Sequence, residues 1–344
     1  MDTNANQPAY LCVDRFLGHF MDAQALGAAF ELGVIDCLER EHAHTTESLC
    51  ERLRTDPRVF PVLVELLRAA GVLSREGASL TLTSEFQNAL QYRDLMLAKL
   101  DFARIAAFDL LNDFSTLVRA PREFMARARM FRLFSYGRCF DPTPENVELT
   151  RRWVRITTAL TRYEATACFD RHDLSGHRRM LDIGGNSGEF VIQACRRYPN
   201  LHATVFDLPV VCEIGREHVA ATPEGGRISF VAGNAMVDPL PGGFDLITFK
   251  SVLHDWPDAE ALQFMKRAWA SLAPGGTLLI YERSNLTFAD GAPSFALAPI
   301  IAFAHSYREP EFYERIVREF GGMELCMCRI SLEVPFFVMT ARKS

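Results

Sequence analysis

Short apolar runs alternate with stretches of helical spacing along the second half of the chain, from about residue 176 onwards. Apolar residues fill each run almost continuously, which is typical of a parallel strand buried on both faces. The runs that predict such strands lie at residues 178–183, 202–207, 227–232, 243–249 and 277–283. Helical spacing between most of them predicts a parallel sheet covered by helices on both faces. Two final runs, 323–330 and 335–341, predict a closing antiparallel pair.

The N-terminal part of the chain begins with stretches of helical spacing. Residues 11–40 carry an apolar face and predict a first helical region. Thr45 or Thr46 is placed to cap the next helix, because a hydroxyl before an acidic first turn accepts from free backbone N–H groups. A further helix is predicted over residues 58–70, and Gly71 ends it.

A small hairpin is predicted after these helices, with apolar runs at 72–74 and 80–83 on either side of a turn at Glu76-Gly77. Helices followed by a hairpin form a winged-helix pattern, which in many proteins binds DNA. Between residues 41 and 92, however, there are five arginines, no lysine and seven acids. No basic face is available for phosphates, and nucleic acid is not expected as a partner.

The sequence LDIGGNSG, residues 181–188, joins the first predicted strand to a helix through glycines. Such a turn lets the backbone approach a ligand closely and presents free N–H groups at the helix N-terminus. The run does not match G-x-G-x-x-G well, since Asn186 stands where that pattern needs a glycine. The next strand ends at Asp207, an acid placed to accept both hydroxyls of a ribose. Together these features indicate a nucleoside cofactor without specifying which one.

Two further segments specify the cofactor. FKSVLHDW, residues 249–256, and LAPGGTLLIYER, residues 272–283, each accompany a predicted strand. With LDIGGNSG and VFDLP they resemble the S-adenosylmethionine (SAM)-dependent methyltransferases that act on small molecules. The resemblance is to the caffeic-acid and hydroxyindole O-methyltransferase type, a group that includes antibiotic-tailoring enzymes of bacterial secondary metabolism.

The resemblance implies an α/β fold. A class I methyltransferase Rossmann-like sheet, mostly parallel with an antiparallel last strand, would follow an N-terminal helical winged-helix domain that serves for dimerisation. The expected domains are 1–95 for dimerisation, 96–172 as a helical connector contributing to the substrate pocket, and 173–344 for SAM binding and catalysis. A homodimer acting on a small-molecule substrate is the expected assembly, with S-adenosylhomocysteine as the cofactor product.

The same resemblance implies the cofactor contacts. Backbone groups around the glycine turn would hold the methionine part, and Asp207 the ribose. Asn234 stands where relatives carry an acid for the adenine, and Met236 would press on the ring. Lys250 either meets the cofactor carboxylate or is solvated. The expected cofactor-binding residues are Asp182, Gly184, Gly185, Gly188, Asp207, Leu208, Asn234, Ala235, Met236, Lys250 and Trp256.

His254 is the expected general base, because a neutral imidazole suits removal of the acceptor's proton during methyl transfer. By analogy with relatives, Asp255 and Glu282 are the acids that would orient the imidazole. Relatives also carry a second acid in a Glu-Arg-Thr segment, where this chain has Tyr307 or Arg308. The aromatic residues of the stretch 95–165 are mostly expected in the core, and some would line the substrate pocket. The expected substrate-binding residues are Tyr136, Phe140, Trp153, Phe303 and His305.

Two other functions remain open at this point. His254 and His305 could bind iron and support C-methylation of an aromatic 2-oxo acid, as in an iron-binding branch of the same fold. Alternatively, the fold could bind SAM and catalyse another step of natural-product biosynthesis without methylating. The resemblance favours neither over O-methylation of a hydroxylated aromatic compound by His254.

Charge and hydropathy add exclusions. The net charge of −6 argues against a general nucleic-acid binder. There is no apolar run of about 20 residues and no signal-peptide core at the start MDTNANQPAY, so no membrane association is expected. The nine cysteines are scattered, which predicts reduced thiols and a cytoplasmic location.

Overall fold

The computed structural model describes residues 20–286 and 297–344. This part of the chain divides into two compact units, one ending at Ala103 and the other beginning at Arg104. The finer division into domains 1–95, 96–172 and 173–344 stays a prediction. Within the described ranges, no helix has the length and apolar character needed to cross a membrane.

The N-terminal unit is a helical domain with a two-stranded hairpin. Thr45 caps the third helix, since its Oγ1 accepts a hydrogen bond of 3.1 Å from the backbone N–H of Ser48. The fourth helix ends before Gly71, as predicted, and the hairpin follows it. Residues 11–19 of the first predicted helical region lie outside the described residues. The elements are α1 (Phe20–Leu32), α2 (Val34–Glu41), α3 (Thr46–Arg52), α4 (Phe60–Ala69), β1 (Leu73–Glu76), β2 (Ser79–Leu82), α5 (Ser84–Ala89) and α6 (Arg93–Arg119), the last of which continues past Ala103.

The second unit contains the large sheet and the helices that cover it. Its helices are α7 (Pro121–Arg127), α8 (Pro144–Phe169), α9 (Glu189–Arg197), α10 (Pro209–Ala220), α11 (Asp258–Ser271), α12 (Ala298–Ala302) and α13 (Pro310–Glu319). Its strands are β3 (Arg179–Ile183), β4 (His202–Asp207), β5 (Ile228–Ala232), β6 (Phe244–Lys250), β7 (Leu272–Arg283), β8 (Met323–Ser331) and β9 (Pro335–Arg342).

The seven strands lie in the order β5-β4-β3-β6-β7-β9-β8. Strands β3 to β7 pair in parallel, whereas β9 is antiparallel to both of its neighbours. The predicted parallel sheet and closing antiparallel pair are therefore confirmed. The strands that follow β3 in the chain lie first on one side of it, as β4 and β5, and then on its other side, as β6 and β7. In parallel sheets, ligands bind outside the carboxyl ends of the strands where this change of side occurs, which here is between β3 and β6.

The strand β7 differs from its prediction at its start. The sequence predicts a helix end and a Pro-Gly-Gly turn before the strand, but the extended backbone begins already at Leu272. Pairing with β6 is irregular there, because Phe244 pairs with Leu272 and Leu246 pairs with Thr277. Gly275 has a φ of +73°, a left-handed conformation that glycine adopts without strain. The predicted turn is thus present as an irregularity within the strand.

Candidate active site

The glycine turn after β3 is tightly packed. Gly184 has a φ of +70°, and a Cβ built on it would lie 2.9 Å from a methyl carbon of Val252. Gly188 has a φ of +81° and stands immediately before α9. A larger residue at either position would need a strained backbone and, at Gly184, displacement of a neighbour. Glycine is therefore favoured at both positions by the backbone conformation and, at Gly184, by the closeness of Val252.

Asp182 lies just before this turn and is buried, with 1% of its surface exposed. One carboxylate oxygen, Oδ1, accepts a hydrogen bond from the hydroxyl of Thr248. The other, Oδ2, has no hydrogen-bond partner within the described residues. Burial raises the pKa of Asp182 to about 7. A buried carboxylate oxygen without a donor is costly, so this position is suited to a cationic or hydrogen-donating ligand.

Asp207, at the end of β4, joins the second strand to the glycine turn. Its Oδ2 accepts from the backbone N–H of Asn186 at 2.8 Å, and its Oδ1 accepts from that of Leu208 at 2.7 Å. Burial raises the pKa of Asp207 to about 6, although both N–H groups oppose this. Each carboxylate oxygen can accept a further bond, so Asp207 can still receive two hydroxyls.

Helix α8 also contacts the glycine turn, and these contacts were not predicted from the sequence. Oγ1 of Thr157 lies 3.2 Å from Oδ1 of Asn186, and Oγ1 of Thr158 lies 2.7 Å from the hydroxyl oxygen of Ser187. Threonines in a helix interior carry no distinctive sequence signal, because they usually bond to their own helix backbone.

The segment 234–236 forms a turn after β5. Oδ1 of Asn234 accepts from the backbone N–H of Met236 at 3.0 Å, and the N–H of Asn234 donates to Asp238. The carbonyl oxygen of Ala235 accepts from Nε of Arg267 at 2.7 Å. The side-chain oxygen of Asn234 therefore already holds this turn, and its expected contact with adenine stays a prediction.

The turn at residues 252–254 is built around the carboxylate of Glu282. Oε1 accepts from the backbone N–H groups of Val252 and Leu253, both at 2.7 Å, and Oε2 lies 2.7 Å from Nδ1 of His254. Glu282 is fully buried. Burial opposes its ionisation, but His254 and the two N–H groups lower the pKa of Glu282 below its ordinary value. The structure thus brings together His254 and Glu282, two residues that the sequence selects, and their catalytic roles stay a prediction.

Asp255 lies on the other side of the imidazole. Its Oδ1 is 3.4 Å from Nε2 of His254, and its Oδ2 accepts a hydrogen bond of 2.6 Å from the hydroxyl of Tyr136. Burial alone would lower the pKa of His254, but the charges of Glu282 and Asp255 raise it above the ordinary value. Burial raises the pKa of Asp255 itself. The imidazole is therefore held between two carboxylates.

Lys250 is engaged in a buried ion pair. Its ammonium contacts Glu164 of α8 and donates to Oγ1 of Thr161 at 2.9 Å. Arg283, at the end of β7, also donates to Glu164, at 2.7 Å. Lys250 is predicted from the sequence as a site residue, whereas its partners Thr161 and Glu164 are not. The contact of Lys250 with the cofactor stays a prediction.

Aromatic side chains connect α8 to the turn that carries His254. Tyr136 lies 5.5 Å from Trp153 and stacks on Trp256 at 5.8 Å, measured between ring centroids. Phe303 lies 5.0 Å from both Phe131 and Phe134. The predicted substrate residues Tyr136, Trp153 and Phe303 thus belong to one aromatic cluster. Phe140, the fourth predicted aromatic, is exposed.

His305 lies on an exposed part of the segment before α13, with Nε2 2.8 Å from the sulfur of Met125. Tyr307 packs against the ring of His254 instead, at 5.3 Å between centroids. In the part of the chain that the structure describes, no group of three His, Cys, Asp or Glu side chains is arranged to hold a metal ion. A site of two histidines completed by substrate does not require such a group, and the iron-binding alternative stays an untested prediction.

The fold is that of the class I methyltransferases. Residues 115–321 match the model of the O-methyltransferase domain, and residues 15–89 match that of the O-methyltransferase dimerisation domain. The chain therefore belongs to the O-methyltransferase family, a class of SAM-dependent enzymes, which confirms the resemblance seen in the motifs.

Named relatives include enzymes of bacteria and mammals. The 3-hydroxy-5-methyl-1-naphthoate 3-O-methyltransferase of Streptomyces sahachiroi is 42% identical over 110 residues, which are 32% of each chain. The acetylserotonin O-methyltransferase of Rattus norvegicus is 30% identical over 270 residues, 76% of this chain and 60% of the relative. The match thus spans less than two thirds of either relative. The structure of human N-acetylserotonin methyltransferase in complex with SAM has a TM-score of 0.77 at 20% identity and covers 99% of both chains.

Proposed function

We propose that the protein is a SAM-dependent O-methyltransferase whose acceptor is a hydroxylated aromatic small molecule, with His254 as general base. The observation that carries the proposal is the contact of 2.7 Å between Nδ1 of His254 and the buried carboxylate of Glu282. With the Nδ1 proton donated to Glu282, the lone pair of a neutral imidazole is left on Nε2. That nitrogen can take the proton from an acceptor hydroxyl.

The residues around the glycine turn fit SAM. The unpartnered Oδ2 of Asp182 suits the ammonium group of the cofactor's methionine part. Asp207 suits the ribose hydroxyls. Gly184 and Gly185 have no side chain that would lie between the backbone of the turn and the cofactor. When bound, SAM supplies an electrophilic methyl group on a sulfonium sulfur and leaves as S-adenosylhomocysteine.

The remaining side chains prepare the acceptor. His254 removes the hydroxyl proton as the oxygen becomes the nucleophile, and Glu282 stabilises the resulting imidazolium. The cluster around Tyr136, Trp153 and Phe303 offers flat apolar surface for an aromatic ring. Relatives named for a hydroxynaphthoate and for acetylserotonin support an aromatic acceptor.

The test is a methyl-transfer assay. The protein is incubated with SAM and a panel of hydroxylated aromatic compounds that includes hydroxynaphthoates and N-acetylserotonin, and mass spectrometry detects a methylated product. We expect at least one acceptor to be methylated. His254→Ala should reduce the rate by about 10²–10⁴-fold, because proton removal in the transition state is lost.

Calorimetric titration with SAM serves as the control for this variant. Cofactor affinity should remain near that of the wild type, because His254 acts on the acceptor. A His254→Ala variant with full activity on any methylated acceptor would exclude the imidazole as the base.

A further inference from the structure

Each of the two nitrogens of the His254 imidazole faces a carboxylate, and the two carboxylates are restrained by different contacts. Glu282 is fixed against Nδ1 because its carboxylate also binds two backbone N–H groups and is fully buried. Asp255, on the Nε2 side, has a side chain that is 18% exposed and follows His254 directly in the chain. Without a restraint, such a carboxylate is free to turn towards water, where it is better solvated.

In the described residues 297–309, the carboxylate of Glu309 pairs with Arg329 and not with Nε2 of His254. Tyr307 lies against the imidazole ring, and its hydroxyl donates to the carbonyl oxygen of Ile300 at 3.3 Å. Arg308 donates to the carbonyl oxygen of Leu253 at 2.9 Å and so holds the turn rather than the ring. Among the described residues, Asp255 is the carboxylate that the structure places on this side.

Tyr136 supplies the restraint on Asp255. Its hydroxyl donates to Oδ2 at 2.6 Å, which leaves Oδ1 directed at Nε2 of His254. The phenol cannot easily move, because its ring stacks on Trp256 at an interplanar angle of 18° and contacts Trp153. The direction of the hydrogen bond is therefore set by aromatic packing.

We propose that Tyr136 is a positioning residue for the general base, acting through Asp255, which it holds beside Nε2 of His254. The inference rests on the proposed function of His254. At 3.4 Å, Oδ1 of Asp255 is beyond a hydrogen bond, so Nε2 stays available to an acceptor hydroxyl and the carboxylate acts through its charge. When the proton reaches Nε2, this charge stabilises the imidazolium.

Other charged groups near His254 are independent of Tyr136. Glu282 and Arg283 approach from β7, with Arg283 bound to Glu164 and Ser251. Arg308 approaches from the segment before α13 and pairs with Asp258. A change in the titration of His254 on loss of the Tyr136 hydroxyl therefore reports on Asp255.

The experiment is an NMR titration of His254 in protein labelled with 15N-histidine, with its signal assigned by its loss in His254→Gln. Asp255→Asn should lower the pKa of His254 by about one unit, because a neighbouring anion that favours the imidazolium is removed. Tyr136→Phe keeps the aromatic packing and should lower this pKa by at least half as much, since Asp255 is released to solvent. The double variant should resemble Asp255→Asn alone.

Tyr307→Phe is the matched control, because Tyr307 touches the same imidazole but its hydroxyl bonds to Ile300. It should leave the pKa of His254 within a few tenths of a unit. A Tyr136→Phe protein that is folded by circular dichroism and titrates like the wild type overturns the inference. Should Tyr136→Phe fail to fold, an unchanged pKa in Asp255→Asn overturns it equally.

This titration needs neither SAM nor an acceptor. Its failure would leave methyl transfer by His254 intact, and absence of methyl transfer would leave the contact between Tyr136 and Asp255 intact. The two results are therefore distinguishable.

Discussion

At the scale of single residues, the turn at residues 252–254 shows how one carboxylate organises a backbone. Ser251 has a φ of +53°, a conformation uncommon for residues other than glycine, and it directs the chain out of β6. The next two N–H groups then point at Glu282, each at 2.7 Å. His254 follows with Nδ1 on the same carboxylate. The imidazole of His254 is therefore positioned by the end of β7 as much as by its own segment.

The unpartnered carboxylate of Asp182 predicts a pH dependence of cofactor binding. In the free protein its pKa is raised to about 7 by burial, so it is largely protonated below that pH. An ammonium group on Oδ2 favours the ionised form. Binding of SAM at about pH 6.5 should therefore release protons, and affinity should fall as the pH decreases below about 7. Calorimetry in two buffers of different ionisation enthalpy measures this release.

Asp182→Asn provides the control for that experiment. The amide cannot ionise, so proton release near pH 7 should disappear and only the step due to Asp207, with a pKa raised to about 6, should remain. Absence of proton release from the wild type at about pH 6.5 would contradict the placement of the cofactor's ammonium on Asp182.

The residues that sequence reasoning identified share a local signal. Asp182, Asp207 and His254 each lie at or near the end of an apolar run, and such ends meet at one edge of a parallel sheet. Glu164 has no such neighbourhood, because it lies within a long helix and meets Lys250 only in three dimensions. The one sequence signal for burial of Glu164 was its place beside the small, apolar residues Ala165 and Cys168, which are also buried. The contact between Tyr136 and Asp255 spans 119 residues and had no sequence signal at all.

At the scale of elements, α8 connects the glycine turn to the strands β6 and β7. Thr157 and Thr158 contact the glycine turn, and Glu164 pairs with Lys250 of β6 and Arg283 of β7. All three charged side chains are nine-tenths or more buried. Glu164 of α8 is therefore the counter-ion of two buried cations, one on β6 and one on β7.

Glu164→Ala should destabilise the protein by about 3–5 kcal/mol, because two buried cations lose their partner. Glu148→Ala, an exposed position of the same helix, should change the free energy of unfolding by no more than about 0.5 kcal/mol. Denaturant titration measures both variants. Equal stabilities of the two variants would show that the buried ion pairs do not hold α8 to the sheet.

The strands were predicted well because buried parallel strands give continuous apolar runs, and β4 has the bounds that its run predicts. The start of β7 was predicted wrongly, since a Pro-Gly-Gly sequence normally ends a strand. Here pairing with β6 tolerates an irregularity at that point. The local sequence predicts a turn, whereas pairing of Leu272 with Phe244 of β6 extends the strand beyond it.

At the scale of the whole molecule, we propose that the chain forms a homodimer. Residues 15–89 match the O-methyltransferase dimerisation domain, and this unit has exposed apolar side chains, including Val59 just before α4 and Val62 within it. Light scattering on a size-exclusion column should give twice the chain mass of 38.8 kDa. A mass that stays at that of a single chain over micromolar concentrations would contradict the dimer.

The central claim is that the carboxyl edge of the sheet binds SAM beside His254, and calorimetric titration with SAM tests it most directly. We predict one site per chain in the wild type and an unchanged affinity in His254→Ala. Asp207→Ala should bind about 10-fold to 100-fold more weakly, because the ribose hydroxyls lose their acceptor. Absence of binding by the wild type, or an affinity of Asp207→Ala equal to that of the wild type, would contradict the account.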